Sequence, residues 1–447
     1  MRKSVTIIGS GLGGSFLAIA LAKEGYAVTV YESRKDPRKN LKDAGKSFNL
    51  TLYYRGIQAL KKLSIWEDVL RFAIKAEGNV CHSLESGLSF DPFDKTGNEV
   101  LYTIHRSDLN RTLIALAESW GVRFSFEHKF ADLDKKTKRA TLKNLKTGIS
   151  KTVSFDFLVG ADGVHSAVRP AIQKGRKASF QKEYENWGYK EVNLPLPLVK
   201  KLKLRKNSTH TWPRPDSLLI AFPNADKTFT LMLNLPLQGK DSFETLTTEQ
   251  AIKTYISTVF PDLMPALSEI TTSVLYKPTG SFITVYTEPW YYKDIALLIG
   301  DAAHGVIPFY GQGMCAAFED VLVLISYLKQ YDKREAAFAA FQKERKRNTD
   351  VLASLSRDNF VELRDKSRSS VYIMRNKVNT ALNKVFPFWL PPLYKLIAHD
   401  DENYADAKER FDKQQKIAKI VGISLLTAVL ASPFALRSSV KKRSLSK

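Results

Sequence analysis

Six residues, Gly9-Ser10-Gly11-Leu12-Gly13-Gly14, follow the apolar run Val5-Thr6-Ile7-Ile8 without a gap. A buried strand that feeds a glycine-rich turn and then a helix limits the start of the chain to a βαβ unit. Residues 3–34 read as that unit. Ser15 to Glu24 is helical, and Ala27 to Tyr31 alternates as a second strand. Glu32 closes the second strand, at the spacing of a carboxylate that holds a ribose hydroxyl. Gly9 and Gly11 let the backbone approach a pyrophosphate, and the helix N-terminus offers free N–H groups.

Two later segments repeat the form. Phe157-Leu158-Val159 leads into Gly160-Ala161-Asp162-Gly163, and Leu297-Leu298-Ile299 leads into Gly300-Asp301-Ala302-Ala303-His304. Any one of the three is a weak signal. All three, in this order and spread, point to FAD bound by an α/β protein that hydroxylates its substrate.

The chain has 447 residues and a formal charge of +22, from 68 Lys+Arg against 46 Asp+Glu. That excess favours anionic partners such as a phosphorylated cofactor, an acidic substrate or anionic lipid. The basic residues are spread along the chain and no nucleic-acid motif accompanies them, so no nucleic-acid partner is expected. Cys81 and Cys315 are the only cysteines, which makes neither a disulfide framework nor a zinc site. No metal is expected, and a reducing compartment fits. The first strand begins within about five residues of Met1, which leaves no room for a signal peptide.

Ile420 to Leu436 carries no charge. As a helix it would reach roughly 25 Å, near the lower limit for a bilayer span. Lys413, Lys416 and Lys419 precede it, and Arg437, Lys441, Lys442, Arg443 and Lys447 follow it. Cationic flanks suit anionic head groups. Residues 420–436 are therefore expected to attach the protein to a membrane by its tail, on the cytoplasmic face. A terminal helix packed on the protein is the other reading.

Between these landmarks, Ser107 to Trp120 reads as an amphipathic helix that Ser107 can cap. Strand-like runs occur at Ser217–Phe222, Thr228–Leu235, Thr272–Lys277 and Ser281–Tyr286, with Trp212-Pro213-Arg214-Pro215 as a break. After Asp301 the chain reads as helices at Gly313–Tyr331, Arg334–Arg347 and Val351–Val371. The expected organisation is an FAD-binding domain over 1–180 with a substrate-facing insertion near 75–105, and a β-sheet substrate domain over 181–290. The chain then returns to the FAD domain over 291–345, followed by a helical region over 346–418 and the tail over 419–447.

Several segments carry a family likeness. They are Phe48-Asn49-Leu50-Thr51 with Arg55-Gly56 and Ala59-Leu60, His82-Ser83-Leu84, Trp212-Pro213-Arg214, the run from Gly300 to Asp320, Asn359-Phe360-Val361-Glu362, and Pro392-Leu393-Tyr394. On these the chain resembles the class A flavoprotein aromatic hydroxylases, over nearly its whole length, and within them the branch that converts L-kynurenine to 3-hydroxykynurenine. The resemblance implies a Rossmann-like FAD-binding domain, an antiparallel β-sheet substrate domain and a helical C-terminal region. It also implies an NADPH-dependent monooxygenase that uses FAD and O₂ on a small aromatic substrate. The FAD contacts it implies fall on Gly13, on Tyr31, Glu32, Ser33 and Arg34, and on Thr51, Arg106, Phe130 and Asp301. Gly313, Met314 and Cys315 fall near the isoalloxazine ring, where backbone N–H groups opening a helix can stabilise charge on the reduced flavin. The segment holding Asp162 is implied to serve both FAD and NADPH. Asn359, Glu362 and Tyr394 match implied substrate contacts, and Phe309, just before Gly311-Gln312-Gly313, reads as a ring over the substrate.

Three positions depart from that pattern. Asn79 stands where the branch has an arginine for the substrate carboxylate, Phe93 where it has a tyrosine, and Asn234 where it has an aromatic ring. Losing the arginine removes a contact of about 1.5–3 kcal/mol; Lys46, Arg55 or Lys75 are the substitutes on offer. Two other functions therefore stay open. One is a same-class monooxygenase acting on a different aromatic or lipophilic compound. The other is a catalytically idle flavin-binding membrane protein. His304 is read as a packed loop histidine, because flavin hydroxylation needs no side-chain nucleophile, and Cys315 as a small buried filler.

Overall fold

The computed structural model describes residues 3–39, 49–84, 87–93, 101–365, 393–400, 402–417 and 420. The chain divides into one unit over Met1–Ser369 and a second over Ser370–Lys447.

The opening βαβ forms as its pattern requires. Strand Ser4–Ile8 pairs in parallel with Ala27–Tyr31 on one side and Phe157–Gly160 on the other. The six-stranded sheet runs Tyr291–Tyr292, Ala296–Leu298, Phe157–Gly160, Ser4–Ile8, Ala27–Tyr31, Arg123–Ser125. Only its first pair is antiparallel. Val5, Ile7, Phe157, Leu158, Val159 and Leu297 are buried, as parallel strands covered on both faces must be. Helix Leu12–Lys23 lies between the sheet and two more helices, Arg106–Ser119 and Gly313–Gln330. Its residues from Phe16 to Leu21 are all buried, and Phe16 stacks on Phe318 at 4.1 Å.

A second, seven-stranded sheet runs Gly280–Glu288, Ser179–Leu194, Phe229–Pro236, Ser217–Pro223, Ser208–Arg214, Gly78–Ser83, Gly87–Pro92. Its strands alternate between two environments. Val192, Leu194, Leu219, Ala221, Leu231, Leu233 and Leu235 join a core closed by helices Glu249–Val259 and Leu267–Tyr276. The opposite face carries Tyr189, Glu191, Leu218, Ile220, Met232 and Asn234. Two small three-stranded sheets complete this unit. One pairs Asn49–Leu52, Leu101–His105 and Ala73–Ala76; it meets the second sheet where Thr103 Oγ1 and Asn49 Nδ2 donate to Pro223 O at 3.1 and 3.2 Å.

Four local expectations need correction. Thr272–Lys277, expected as a strand, lies mostly in helix Leu267–Tyr276. Ile270 and Val274, four residues apart, are buried in the core there, and packing overrides the β-branched run. Trp212-Pro213-Arg214 is not a break but the end of strand Ser208–Arg214. Pairing with Gly78–Ser83 stops at Thr211, so Pro213 needs no N–H on that side. Ser107 does not cap its helix, which starts one residue earlier, at Arg106; its hydroxyl bonds His105 Nδ1 at 2.6 Å instead. Finally, Arg334–Asp365 is one helix rather than two. Asn348 Nδ2 and Thr349 Oγ1 bond the carbonyls four residues back at 3.0 Å, which keeps these polar side chains inside the helix rather than ending it.

Among the described residues no helix is long and apolar enough to cross a membrane. The expected tail lies outside the described residues from 421 onward.

Candidate active site

The glycine turn closes as a tight crossing of two loops. Gly9 has φ +103°, and a Cβ there would sit 2.5 Å from Ala161 O. A Cβ on Gly14 would strike the Gly9 carbonyl. Both glycines are needed for packing. Gly11 is different: a Cβ there would meet nothing within 4 Å. It stands as the N-cap of helix Leu12–Lys23, with no side-chain cap bond. Free N–H groups thus border open space, as a pyrophosphate needs.

Glu32 sits beside this turn, buried. Its Oε2 accepts from Ser10 N at 2.8 Å and Ser10 Oγ at 3.1 Å. Its Oε1 accepts from Arg34 N at 2.8 Å, Arg34 Nε at 3.0 Å and Ser33 Oγ at 3.2 Å. Burial alone would raise its pKa, but the Arg34 guanidinium and the backbone N–H groups of Arg34 and Ser10 overcome it and hold the carboxyl at about 2. Glu32 is therefore an anion that organises its own loop. Tyr31, buried, accepts from Gly9 N at 2.8 Å through its carbonyl and joins the two strand ends.

The other motifs converge on the same end of the sheet. Cβ positions built on Gly13 and Gly300 both fall beside Ala317 Cβ, at 3.5 and 3.3 Å. Gly300 has φ +55° and presents Asp301, which is exposed and makes no hydrogen bond among the described residues. Such a carboxylate is free to accept from a polyol. Asp162 is half committed. Its Oδ2 caps the following helix by accepting from Ala167 N at 2.7 Å, and its Oδ1 is buried without a partner. An open cradle at Gly11, a free carboxylate at Asp301 and an orphaned buried oxygen at Asp162 fit FAD.

Around the start of helix Gly313–Gln330, Gly311 has φ +67°, and a Cβ there would meet the Tyr53 ring and Thr51 Oγ1, at 2.8 and 2.9 Å, so glycine is needed on both counts. Thr51 thus borders the loop before Gly313 and Met314. Cys315 is fully buried, next to Gly56, and burial pushes its thiol up to about 12. A thiol so protonated is inert, as a filler is. Phe309 packs on Phe282 and Phe360, with ring centroids at 4.9 and 4.5 Å, and its carbonyl accepts from Asn359 Nδ2 at 2.7 Å. Glu362 lies close enough to help raise the pKa of Tyr310, after burial itself. Phe309, Asn359 and Glu362 therefore gather at one place, facing Tyr189 and Leu218 on the second sheet.

Two expected contacts stand apart. The Phe130 side chain is buried in the main core, so only its backbone is available to a ligand. Tyr394 lies in helix Leu393–Ala398 of the second unit. Of the substitutes for the missing arginine, Arg55 is excluded: it is buried and paired with Glu319 at 3.0 Å. Lys75 is exposed, and Lys46 lies outside the described residues. Asn79 has spent its amide within the sheet: Nδ2 donates to Thr211 Oγ1 and Oδ1 accepts from Thr209 Oγ1, both at 2.9 Å. Asn234, buried, donates to Leu218 O at 2.7 Å.

Two features escaped sequence reading. Asp320 is fully buried and accepts from Gly300 N at 2.9 Å, His304 Nε2 at 2.5 Å and Arg345 Nε at 2.7 Å. Arg345 also reaches Glu319 at 3.1 Å, which pairs with Arg55. This network fixes the turn that presents Asp301, and His304 serves it as a packed residue. The second feature is Glu191, on the pocket face of the second sheet. Burial pushes its carboxyl up to about 7, against the pull of Lys277 and Arg106. The alternation of Trp187, Tyr189 and Glu191 against Val192 and Leu194 was the signal that marked it.

A family model described as an FAD binding domain matches residues 2–352. The kynurenine 3-monooxygenase of Salinispora tropica is 37% identical over 445 residues, covering 99% of this chain and 98% of its own. The tetrameric form of 2-methyl-3-hydroxypyridine-5-carboxylic acid oxygenase superposes with a TM-score of 0.67 at 24% identity, covering 81% of this chain and 91% of that one. Klebsiella pneumoniae HpxO complexed with FAD and uric acid gives 0.63 at 20% identity, covering 81% and 89%. The structural likenesses establish the fold; on the domain match and the full-length identity together, the chain belongs to the FAD-binding kynurenine 3-monooxygenase family.

Proposed function

We propose that the protein hydroxylates L-kynurenine to 3-hydroxykynurenine, using FAD, NADPH and O₂. The observation that carries the reading is the assembly of the Gly11 cradle, the free Asp301 carboxylate and the Gly311–Met314 loop opposite the polar and apolar face of the second sheet. FAD, when bound, supplies the reduction of O₂ and the oxygen transfer. The chain's own residues bind, orient and exclude water. Gly11 and Gly13 admit the pyrophosphate, while Glu32 and Arg34 take the ribose and phosphate ends. Asp301 accepts from the ribityl chain. The N–H groups at Gly313 and Met314 would stabilise charge on the bound flavin ring, and Thr51 and Arg106 would hold it. Phe309, Asn359 and Glu362 form the substrate's surroundings.

The experiment is NADPH oxidation by the FAD-loaded protein with L-kynurenine, with the product identified by mass. Formation of 3-hydroxykynurenine in step with NADPH use supports the reading, and NADPH oxidation with no hydroxylated product refutes it. A second reading, hydroxylation of another aromatic compound, is favoured by Asn79 and Asn234. Neither offers a charge, and Asn79 has both ends of its amide engaged. Residues 420–436 are proposed to attach the protein to a membrane surface, on their lack of charge and their cationic flanks.

A further inference from the structure

His82 and Trp212-Pro213-Arg214 belong to the motifs of this chain, yet they lie on the face of the second sheet turned away from the flavin cradle. His82 stacks on Trp212, at 4.1 Å between centroids and 21° between planes. His82 Nε2 is 2.9 Å from His210 Nδ1, and His82 Nδ1 is 3.2 Å from Asp262 Oδ2. His210 Nε2 is 3.2 Å from the Arg205 carbonyl oxygen. Asp262 Oδ2 also accepts from Trp212 Nε1 at 2.5 Å.

A carbonyl oxygen only accepts, so His210 Nε2 donates to Arg205. Burial lowers the pKa of His210 to about 4. Burial would raise the Asp262 carboxyl, but His82 and Trp212 together hold it below its ordinary value. Both ring nitrogens of His82 thus face a partner, His210 on one side and Asp262 on the other.

His82 ties three elements together: the edge-side strand Gly78–Ser83, the strand Ser208–Arg214 and the turn Pro261–Ala266. Arg214 reinforces the tie, donating to His82 O at 2.6 Å and Val259 O at 2.8 Å. The other face of Gly78–Ser83 presents Asn79 to Thr209 and Thr211. We propose that His82, clamped between His210 and Asp262, is a positioning residue that sets the strand carrying Asn79 and so the substrate-side wall of the pocket. The inference rests on the pocket reading above. Loss of either of its two ring contacts loosens that wall. The charged and titratable groups around the clamp are Asp262 and Arg214 (4.0 Å apart), Tyr255 and Cys81 near Arg214, and the exposed Arg205–Glu77 pair at 3.0 Å.

The test uses the FAD-loaded full chain. His82→Gln and Asp262→Asn should each raise the KM for L-kynurenine by about threefold or more, with kcat and FAD content within about twofold. Amide exchange of residues 78–83 should quicken in both variants. An unchanged KM or unchanged exchange in both variants overturns the proposal. If His82→Gln loses its FAD, Asp262→Asn decides. If the wild-type protein leaves L-kynurenine unhydroxylated, the substrate reading fails, and amide exchange in the variants still decides the clamp.

Discussion

Replacing Asp320 by Asn tests whether the buried ion network, rather than the motif glycines alone, holds the flavin turn. Asp320 is fully buried and accepts three bonds, from Gly300 N, His304 and Arg345. An asparagine has one oxygen, and its amide nitrogen must point at one of these donors. Arg345, 1% exposed, loses that charge and keeps its contact with Glu319 at 3.1 Å. Breaking a buried pair by removing one member costs about 3–5 kcal/mol. At about 2.1 cal/mol/K per residue, a unit that ends at Ser369 unfolds with roughly 0.8 kcal/mol/K. A loss of about 4 kcal/mol then lowers Tm by about 5 °C. The Gly300 turn relaxes in the same step, so FAD content should fall as well. Thermal melts followed by flavin fluorescence read both effects. Asp320→Asn combined with Arg345→Gln should recover part of the loss, because the uncompensated cation is gone. A Tm shift under about 1 °C with full FAD content would refute the reasoning, and would mean that water or a rearranged Glu319 solvates Arg345.

Glu32→Ala and Asp301→Ala should each lower FAD occupancy of the purified protein, measured by absorbance against protein content; full occupancy in both would sink the assigned cradle. Glu191 has its pKa raised by burial, from an ordinary 4.5 to about 7, so the fold favours its protonated form. Stability should be highest below about pH 4.5 as far as this group is concerned and fall as pH rises toward about 7; Glu191→Gln should flatten that slope in urea melts. Truncation from about residue 418 should abolish binding to anionic liposomes without lowering FAD content, and equal liposome binding by both forms would remove the anchor. Asn79→Arg should tighten L-kynurenine about tenfold, a gain of about 1.4 kcal/mol, and an unchanged KM would show that another cation holds the carboxylate.

The flavin half was legible because its signals are local. Gly9 and Gly14 are forced by crossings that any side chain would block, and the buried strands that precede each motif are continuous apolar runs. Packing decided the elements that were misread. Ile270 and Val274 turned a β-branched run into a helix, and the end of pairing at Thr211 let Pro213 finish a strand. The Asp320 network was invisible for a different reason. Its members come from helices that meet only after folding, and neither Asp320 nor Arg345 sits in a pattern that distinguishes a buried ion from a surface one. Glu191 was visible in principle, since strand alternation places it on the pocket side, but alternation alone does not tell a half-buried carboxylate from a solvated one.

The substrate half turns on where charge is allowed in the pocket. An asparagine at position 79 looks at first like a weakened arginine, a donor without charge. The structure adds that each end of its amide bonds a threonine of the neighbouring strand, Nδ2 to Thr211 and Oδ1 from Thr209, so the side chain also ties the sheet. Arg55 is likewise consumed, by Glu319. Among the described residues, the guanidinium that acts electrostatically on the pocket face is Arg106, whose charge is felt by Tyr189 and Glu191. A substrate carboxylate entering here would compete with Glu191 for that field and would raise the tendency of Glu191 to hold its proton. Binding of a substrate through a carboxylate, as the zwitterionic L-kynurenine carries, should therefore take up a proton near neutral pH, a coupling that calorimetry in buffers of different ionisation heat reads directly. An aromatic substrate without a carboxylate would take up none, so the measurement separates the two substrate readings without any turnover.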